Sequence, residues 1–540
     1  MSASGKVLRS AAVMGVATFL SRILGLVREQ VFAYFFGAGH AVDAFNIAFR
    51  IPNLLRDLFA EGSMSAALVP TFTRVRETVG GVASWALAHR VFRVLFFWVS
   101  MLSVLGMIFS DVLVGFYASA FRAVPGKFEL AVSLTRTLFP FFPLVALAAA
   151  YMAVLNSLGV FFVPAFASAV FNGVSISTGV LATWACARFQ IEPIFGMAVG
   201  VVLGGAAQAL CQLPELSKKR QIDLGSVPVS VPLGPWYRDP DLRAMLKLMV
   251  PGTVGLAATQ VSILVNSILA TAAGSGAVSW LNYAFRLMQF PIGVFGVSLA
   301  QATLPAVSTQ WARADYTGTG GTLLRSLANV FAINLPAAAG LAVLAEPLIS
   351  LLFEHGRFGT QDTHQTAMAL AAYSVGLVAY SGVKVLAPCF YAFGQVRVPV
   401  VASLVSVGAT LILNLLSVKW LGFWGLALGT SAGAFVNFGI LLVWACRVIT
   451  LQGGVLSVGA VASRFWVHLG VAAVMGIVCG ATWKELGWAL GEGVFAQSAW
   501  LAVLVAEGIA VVGILWALFG VQESSEIFSA LLRKFGKKTV

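Results

Sequence analysis

Cationic side chains placed inside apolar segments are the feature of this sequence most able to do chemistry. Arg22 comes directly after the apolar run Ala11 to Leu20 and Ser21. At about 1.5 Å of rise per residue, that run puts Arg22 about 15 Å into a helix, near the middle of a bilayer. A central arginine costs about 3 kcal/mol on insertion scales, so it is expected to face a wet cavity or a partner. Arg28 follows on the same helix, about 120° round from Arg22, with Gly25 between them and Glu29 back on nearly the face of Arg22. In the next apolar segment Arg50 and Arg56 flank Pro52, and Asp57 and Glu61 follow at an i,i+4 spacing. Arg286 lies in the otherwise apolar stretch Leu281 to Gln289, just before Pro291. Guanidinium groups stay charged and present a bidentate fork, which suits phosphate. A cationic chamber for an anionic head group is one reading of this set. Helix-end anchors paired with Glu29, Asp57 or Glu61 are the other, and the residue pattern alone leaves both open.

Other chemistries find no footing. The sequence has no GxGxxG after a strand, no Walker lysine loop, no HExxH and no GxSxG. Cys186, Cys211, Cys389, Cys446 and Cys479 stand singly in apolar stretches, which suggests neither a zinc site nor a disulfide framework. The charged outer loop from Glu346 to Asp362, with Glu354, His355 and Arg357, could form a small catalytic surface, but solvated loop charges are the expected reading. No cofactor and no metal site are expected, and the chain is read as a non-enzyme.

The elements that position these arginines follow from composition. Of 540 residues 59% are hydrophobic and 10% charged, with mean hydropathy +0.91. Soluble domains carry about 25% charged residues, so the solvent for most of this chain is lipid. Counting spans of about 20 residues gives an all-α integral membrane protein with about fourteen helices. Their centres fall near Leu20, Phe59, Leu102, Ala146, Ser175, Leu203, Thr259, Gly293, Leu335, Leu377, Gly408, Ala434, Val474 and Gly508. The net charge of +13 is read as a positive-inside signal rather than a nucleic-acid footprint. With the N-terminus inside, Arg74, Arg76, Arg90, Arg93, Lys218, Lys219, Arg220, Arg243 and Lys247 are cytoplasmic, whereas Arg122, Lys127, Arg136 and Arg188 face outward. Both termini are then cytoplasmic. Ser21-Arg22 follows the first apolar run where a cleavage site would stand, so the first span is expected to be retained.

The chain also repeats itself. Gly159 to Ser168 and Gly394 to Ser403 share G-x-x-x-V-P-x-x-A-S. Downstream, Gly196, Gly200 and Gly204 are matched by Gly425, Gly429 and Gly433. A repeat of about six helices gives two like-oriented lobes, a transporter plan with the substrate between them. The expected division is residues 1–215 for helices 1–6, 240–450 for helices 7–12, and 455–525 for helices 13–14 outside the repeat. Pro52, Pro70, Pro291 and Pro305 bracket the second and eighth helices, where kinks would serve alternating access.

The arginine segments carry a resemblance. Ser21-Arg22-Ile23-Leu24-Gly25-Leu26-Val27-Arg28-Glu29, Phe36-Gly37-Ala38-Gly39, Asp43-Ala44-Phe45, Pro52-Asn53-Leu54-Leu55-Arg56 and Ala60-Glu61-Gly62 are similar to the signature of the MurJ (MviN) family of lipid II flippases. This family belongs to the multidrug/oligosaccharidyl-lipid/polysaccharide exporter superfamily. Tyr283-Ala284-Phe285-Arg286-Leu287-Met288-Gln289-Phe290-Pro291 and Gly356-Arg357-Phe358 resemble it too. The resemblance implies a central cavity lined by Arg22, Arg28, Arg56 and Arg286, supported by Ser21, Glu29, Asp43, Glu61 and Gln289. It implies a lipid-tail groove on helices 13 and 14. The implied substrate is lipid II, the undecaprenyl-diphosphate-linked peptidoglycan unit, moved from the inner to the outer leaflet of a bacterial inner membrane. Membrane lipids and proteins of cell-wall synthesis or division are the implied partners. A flippase for another polyprenyl-diphosphate saccharide, or an embedded glycosyltransferase or scaffold, are the alternatives. Some members place acids on the seventh and eleventh helices for sodium; here Asn266 and Asn414 stand in the apolar stretches, and the coupling ion or potential is left open.

Overall fold

The computed structural model describes residues 3–59, 63–225, 239–491 and 493–520, and all regular structure among them is helical. The chain divides into two compact units, Met1–Ser279 and Trp280–Val540.

The first unit opens with α1 (Ala3–Phe36), α2 (His40–Phe59), α3 (Ser63–Thr78), α4 (Gly81–Ile108) and α5 (Ser110–Tyr117). A 3-10 turn at Ser119–Ala123 leads to α6 (Lys127–Leu138) and α7 (Phe141–Ser157), which break at Pro140 but form one apolar stretch. Then come α8 (Phe162–Arg188), α9 (Ile194–Leu210), α10 (Leu213–Leu224), α11 (Pro240–Ala272) and the first turn of α12 (Ala277–Pro291). α11 starts where the sequence says a helix should. Asp239 accepts from the backbone N–H of Asp241 (2.9 Å) and Leu242 (3.1 Å), and Pro240 takes the first helical position, where its missing N–H costs nothing.

The second unit holds the rest of α12, a π-helical turn at Ile292–Gly296, α13 (Val297–Ala312), α14 (Tyr316–Val343), α15 (Ala345–Phe353), α16 (Thr360–Val375) and α17 (Leu377–Ala392). α18 (Arg397–Leu421), α19 (Phe423–Leu451), α20 (Val458–Leu486) and α21 (Val494–Leu518) complete it. The kink expected at Pro291 is therefore a π turn, the form a helix takes when one extra residue is accommodated. Hydroxyls just beyond it tie back to the preceding turn: Ser298 Oγ donates to the Val294 carbonyl (2.5 Å) and Thr303 Oγ1 to that of Leu299 (2.7 Å).

Ten segments among the described residues are long and apolar enough to cross a membrane, or eleven with the α16/α17 pair, bent by 41°, taken as one. The other three expected centres lie on α1 (Leu20), at the end of α2 (Phe59) and on α11 (Thr259). All three of these helices belong to the arginine-bearing unit.

The sequence repeat is a packing motif in each unit. On α9, a methyl added at Gly200 would sit 2.5 Å from the Gly179 Cα and 2.6 Å from the Ser175 carbonyl of α8. One at Gly204 would sit 2.8 Å from the Phe171 carbonyl, and one at Gly196 would collide with the backbone of Thr183. On α19, methyls at Gly429 and Gly433 would fall onto Asn414 Oδ1 and Thr410 Oγ1 of α18. Helices in lipid associate through close van der Waals approach, and a ladder of glycines four apart permits it.

The compact units are divided after α11. α11, grouped in the sequence reading with the second lobe from residue 240, makes its contacts in the first unit. Its Leu242 and Met245 enter a core with Met64, Leu68, Phe72, Trp85 and Val91, and its Asp241 and Asp239 pair with Arg74 (2.7 Å) and Arg90. In the second unit α20 and α21 lie beyond the repeat and pack on α14 through Ala332, Val471, Met475, Val512 and Trp516.

Candidate functional site

α1 turns its arginines to different environments. Arg22 is exposed, whereas Arg28 is buried. The Arg28 guanidinium lies 5.5 Å from the centre of the Phe171 ring on α8, and its Nη2 donates to Glu29 Oε1 at 3.3 Å. Cation–π contact and an adjacent carboxylate together offset the cost of taking this charge out of water. Glu29, expected to share the face of Arg22, is instead buried beside Arg28. Next to them Asn172 of α8 donates to the Ser21 carbonyl at 3.1 Å, close against Gly25, which seats α1 on α8.

α2 carries two polar centres, one at each end. At its C-terminal end Arg56 bends onto its neighbour: Nε and Nη2 both donate to Asp57 Oδ1, at 3.1 and 2.8 Å. The other oxygen of Asp57 accepts from Gln260 Nε2 of α11 at 3.2 Å. At the N-terminal end Asp43 is 0% exposed and its carboxylate is fully used. Oδ2 accepts from Lys127 Nζ (2.8 Å) and the Gly276 N–H (2.7 Å), and Oδ1 from the N–H (3.0 Å) and Oγ (2.6 Å) of Ser279. Asp43 thus satisfies the first turn of α12 from outside, next to the positive end of that helix. Lys127, read in the sequence as a cation of an outer loop, is 1% exposed; besides Asp43 it touches Ser275 Oγ (3.3 Å) and the Phe121 ring (4.4 Å).

In the second unit α12 is amphipathic. Tyr283, Ala284 and Met288 are buried, with Tyr283 against Phe353 and Phe358. Arg286 and Gln289, three residues apart on the other side, are exposed. The ring of Phe285 lies 5.3 Å from that of Tyr373, tilted by 60°. Glu61 lies outside the described residues.

Each described member of the sequence-derived set lies within its own unit. Arg28 and Glu29 form one centre, Arg56 and Asp57 a second and Asp43 a third, all in the first unit; Arg286 and Gln289 belong to the second unit. Sequence reasoning missed Lys127, Asn172 and Gln260. For Gln260 a signal existed, a lone amide in an apolar stretch; the partner of Lys127 left none.

The outer loop that could have formed a catalytic surface spends its carboxylates on structure. Glu354 accepts from Thr360 Oγ1 (2.8 Å) and Thr363 Oγ1 (3.0 Å), and Asp362 from Trp280 Nε1 (2.9 Å). Burial works against the charge of Glu354, but hydrogen bonds from Ser350, Thr360 and Thr363 and the nearby His355 outweigh it and hold the carboxyl below its usual range. Among the described residues there is no group of three or more His, Cys, Asp and Glu side chains placed to hold a metal ion. Asn414, at a position where a sodium ligand was weighed, is buried against Gly429.

The sequence profile described as lipid II flippase MurJ matches residues 32–495. The chain belongs to this family. A probable lipid II flippase MurJ of Vibrio cholerae is 34% identical over 460 residues, 84% of this chain and 85% of that one. The lipid II flippase MurJ of Burkholderia cenocepacia is 37% identical over 421 residues, 78% of this chain and 80% of that one. A solved structure of lipid II flippase MurJ in an inward closed conformation aligns at a TM-score of 0.76 and 23% identity, covering 94% of this chain and 98% of its own. An inward-facing multidrug resistance MATE transporter of the MOP superfamily aligns at 0.68 and 15% identity, covering 82% of this chain and 99% of its own. At these identities the two structures speak to the fold. MurJ membership covers α2 and α12 with their arginines, so the resemblance first seen in short motifs extends over the apolar helices between them.

Proposed function

We propose that this chain is a transporter that flips lipid II from the inner to the outer leaflet of the bacterial cytoplasmic membrane. The observation that carries the reading is membership of the MurJ family across residues 32–495. The arginines agree with it. Arg22 and Arg286 are exposed on apolar helices, and Arg56 is half-buried at a helix end. A diphosphate linked to a polyprenyl chain is the anionic group that such guanidinium forks would grip inside a membrane. Arg22, Arg28, Arg56 and Arg286 are the substrate-binding arginines in this reading, with Ser21, Glu29, Asp43, Glu61 and Gln289 in support.

In the same reading both termini are cytoplasmic, the repeated lobes alternate access, and α20 and α21 receive the lipid tail. A methyl added at Gly476 or Gly480 of α20 would lie 3.5 or 3.0 Å from Val343 of α14, so these small residues let α20 pack closely within the second unit. Lipid II is the substrate, membrane lipids surround it, and proteins of cell-wall synthesis or division are the candidate partners; no cofactor is invoked. The deciding experiment is complementation of a conditional flippase mutant, with lipid II measured separately in each leaflet. Growth with restored outer-leaflet lipid II is expected. Accumulation on the inner leaflet despite normal membrane levels of the chain refutes the assignment.

A further inference from the structure

Arg56 and Asp57 are consecutive on α2, and consecutive helical residues do not face one another. The pair forms because Arg56 folds back along the helix, and its geometry is unusual in one respect. Nε and Nη2 of Arg56 converge on a single oxygen, Oδ1, at 3.1 and 2.8 Å. The strong form of this interaction is the two-oxygen fork, with one oxygen per N–H. Here the second oxygen is engaged elsewhere, by Gln260 Nε2 at 3.2 Å. A carboxylate only accepts, so the amide of Gln260 must turn its NH2 toward Asp57. Gln260 is buried, and a buried amide that loses its partner bears the full cost of desolvation. Asp57 cannot rotate to close both oxygens on Arg56 without stranding that buried amide.

We infer that Gln260 is a positioning residue for the lipid diphosphate: it holds Asp57 in a one-oxygen pairing that orients the Arg56 guanidinium yet yields it to phosphate. The inference rests on the reading of Arg56 as a substrate-binding residue. Removing Gln260 frees Asp57 to form the two-oxygen fork, which competes with the substrate for the same guanidinium. The effect falls on binding, so KM should rise while kcat holds.

The test uses the full chain in proteoliposomes with fluorescently labelled lipid II, and compares Gln260→Leu, Asp57→Asn, the double variant and Arg56→Lys. Gln260→Leu should raise KM about three- to tenfold and change kcat less than about twofold. In the Asp57→Asn background, where no charged fork can form, adding Gln260→Leu should change nothing further. Where Gln260→Leu does not accumulate, Gln260→Met, of similar length, is measured instead and the same outcomes decide. An unchanged KM, a fall in kcat alone, or an undiminished effect in the Asp57→Asn background overturns the positioning role. Arg56→Lys separates the two levels: full activity there refutes substrate binding by Arg56 itself, whereas impaired activity with a silent Gln260→Leu removes only Gln260.

Discussion

Replacing Lys127 by Met should destabilise this protein far more than the loss of a loop cation would. The substitution keeps an unbranched chain in place but removes the charge that faces Asp43 at 2.8 Å. Breaking a buried ion pair from one side typically costs about 3–5 kcal/mol, because the partner charge is left behind. Asp43 would keep three donors, from Gly276 and Ser279, and the positive end of α12, which places Lys127→Met near the lower end, about 3 kcal/mol. Asp43→Asn should cost about as much: Lys127 would retain only Ser275 and the Phe121 ring, and the new amide would set its NH2 against the Gly276 N–H or the Ser279 donors. The double variant strands no charge, so it should cost less than the two singles combined by about 2 kcal/mol. Unfolding by SDS in mixed micelles, followed by circular dichroism, measures all four proteins. A solvated loop lysine would change stability by no more than about 0.5 kcal/mol. That result for Lys127→Met, or simple additivity of the two changes, would refute the argument.

Four further outcomes are expected. Arg22→Lys and Arg286→Lys should insert normally and flip lipid II about tenfold more slowly, since lysine keeps the charge but loses the fork; Arg74→Lys, an exposed surface pair with Asp241, serves as the silent control, and wild-type flipping in both lysine variants would remove the phosphate clamp. Gly433→Ala, which drives a methyl onto Thr410 Oγ1, should cost about 1–3 kcal/mol in the same unfolding assay, and adding Thr410→Ala should recover part of it; no loss, or no recovery, counts against the ladder. Because the Glu354 carboxyl is held below its usual value, its contribution to stability is complete above about pH 4.3, the unfolded value, and is lost as pH falls through the folded one; the stability gap between wild type and Glu354→Gln should narrow on acidification, and a gap that does not narrow at all as pH falls below about 4.3 would contradict this. Truncation after about Gly454 should leave an inserted but inactive core, judged by membrane level and growth, and growth on the truncated chain would sink the tail-binding role of α20 and α21.

Much of the fold was legible because lipid simplifies the rules. Apolar length located most of the helices, and the glycines at 196, 200 and 204 and at 425, 429 and 433, legible as a repeat, prove to lie in two close-packed pairs. The arginines were legible as anomalies, since a guanidinium in hydrocarbon demands a reason. What could not be read was partnership across the chain. Lys127 looked like an outer-loop residue, since nothing in its spacing points to Asp43. Gln260 was passed over, since its role depends on which oxygen of Asp57 it reaches. The contacts of α11 were hidden for a related reason: a repeat reports ancestry of segments, whereas Leu242, Met245, Asp239 and Asp241 choose their neighbours by contact.

The glycine ladders also explain why the two halves of this chain still look alike in one place and almost nowhere else. A lipid-facing leucine can become isoleucine, valine or phenylalanine with little penalty, because acyl chains are indifferent to the shape they meet. Gly200 cannot become even alanine without pushing against the backbone of Gly179, and Gly429 cannot without displacing Asn414. Drift is therefore free over most of each half and blocked along the α8/α9 and α18/α19 seams. If one ancestral segment was doubled, those seams are where its wording would survive longest, so the repeat is legible there as a record of which positions had no alternative.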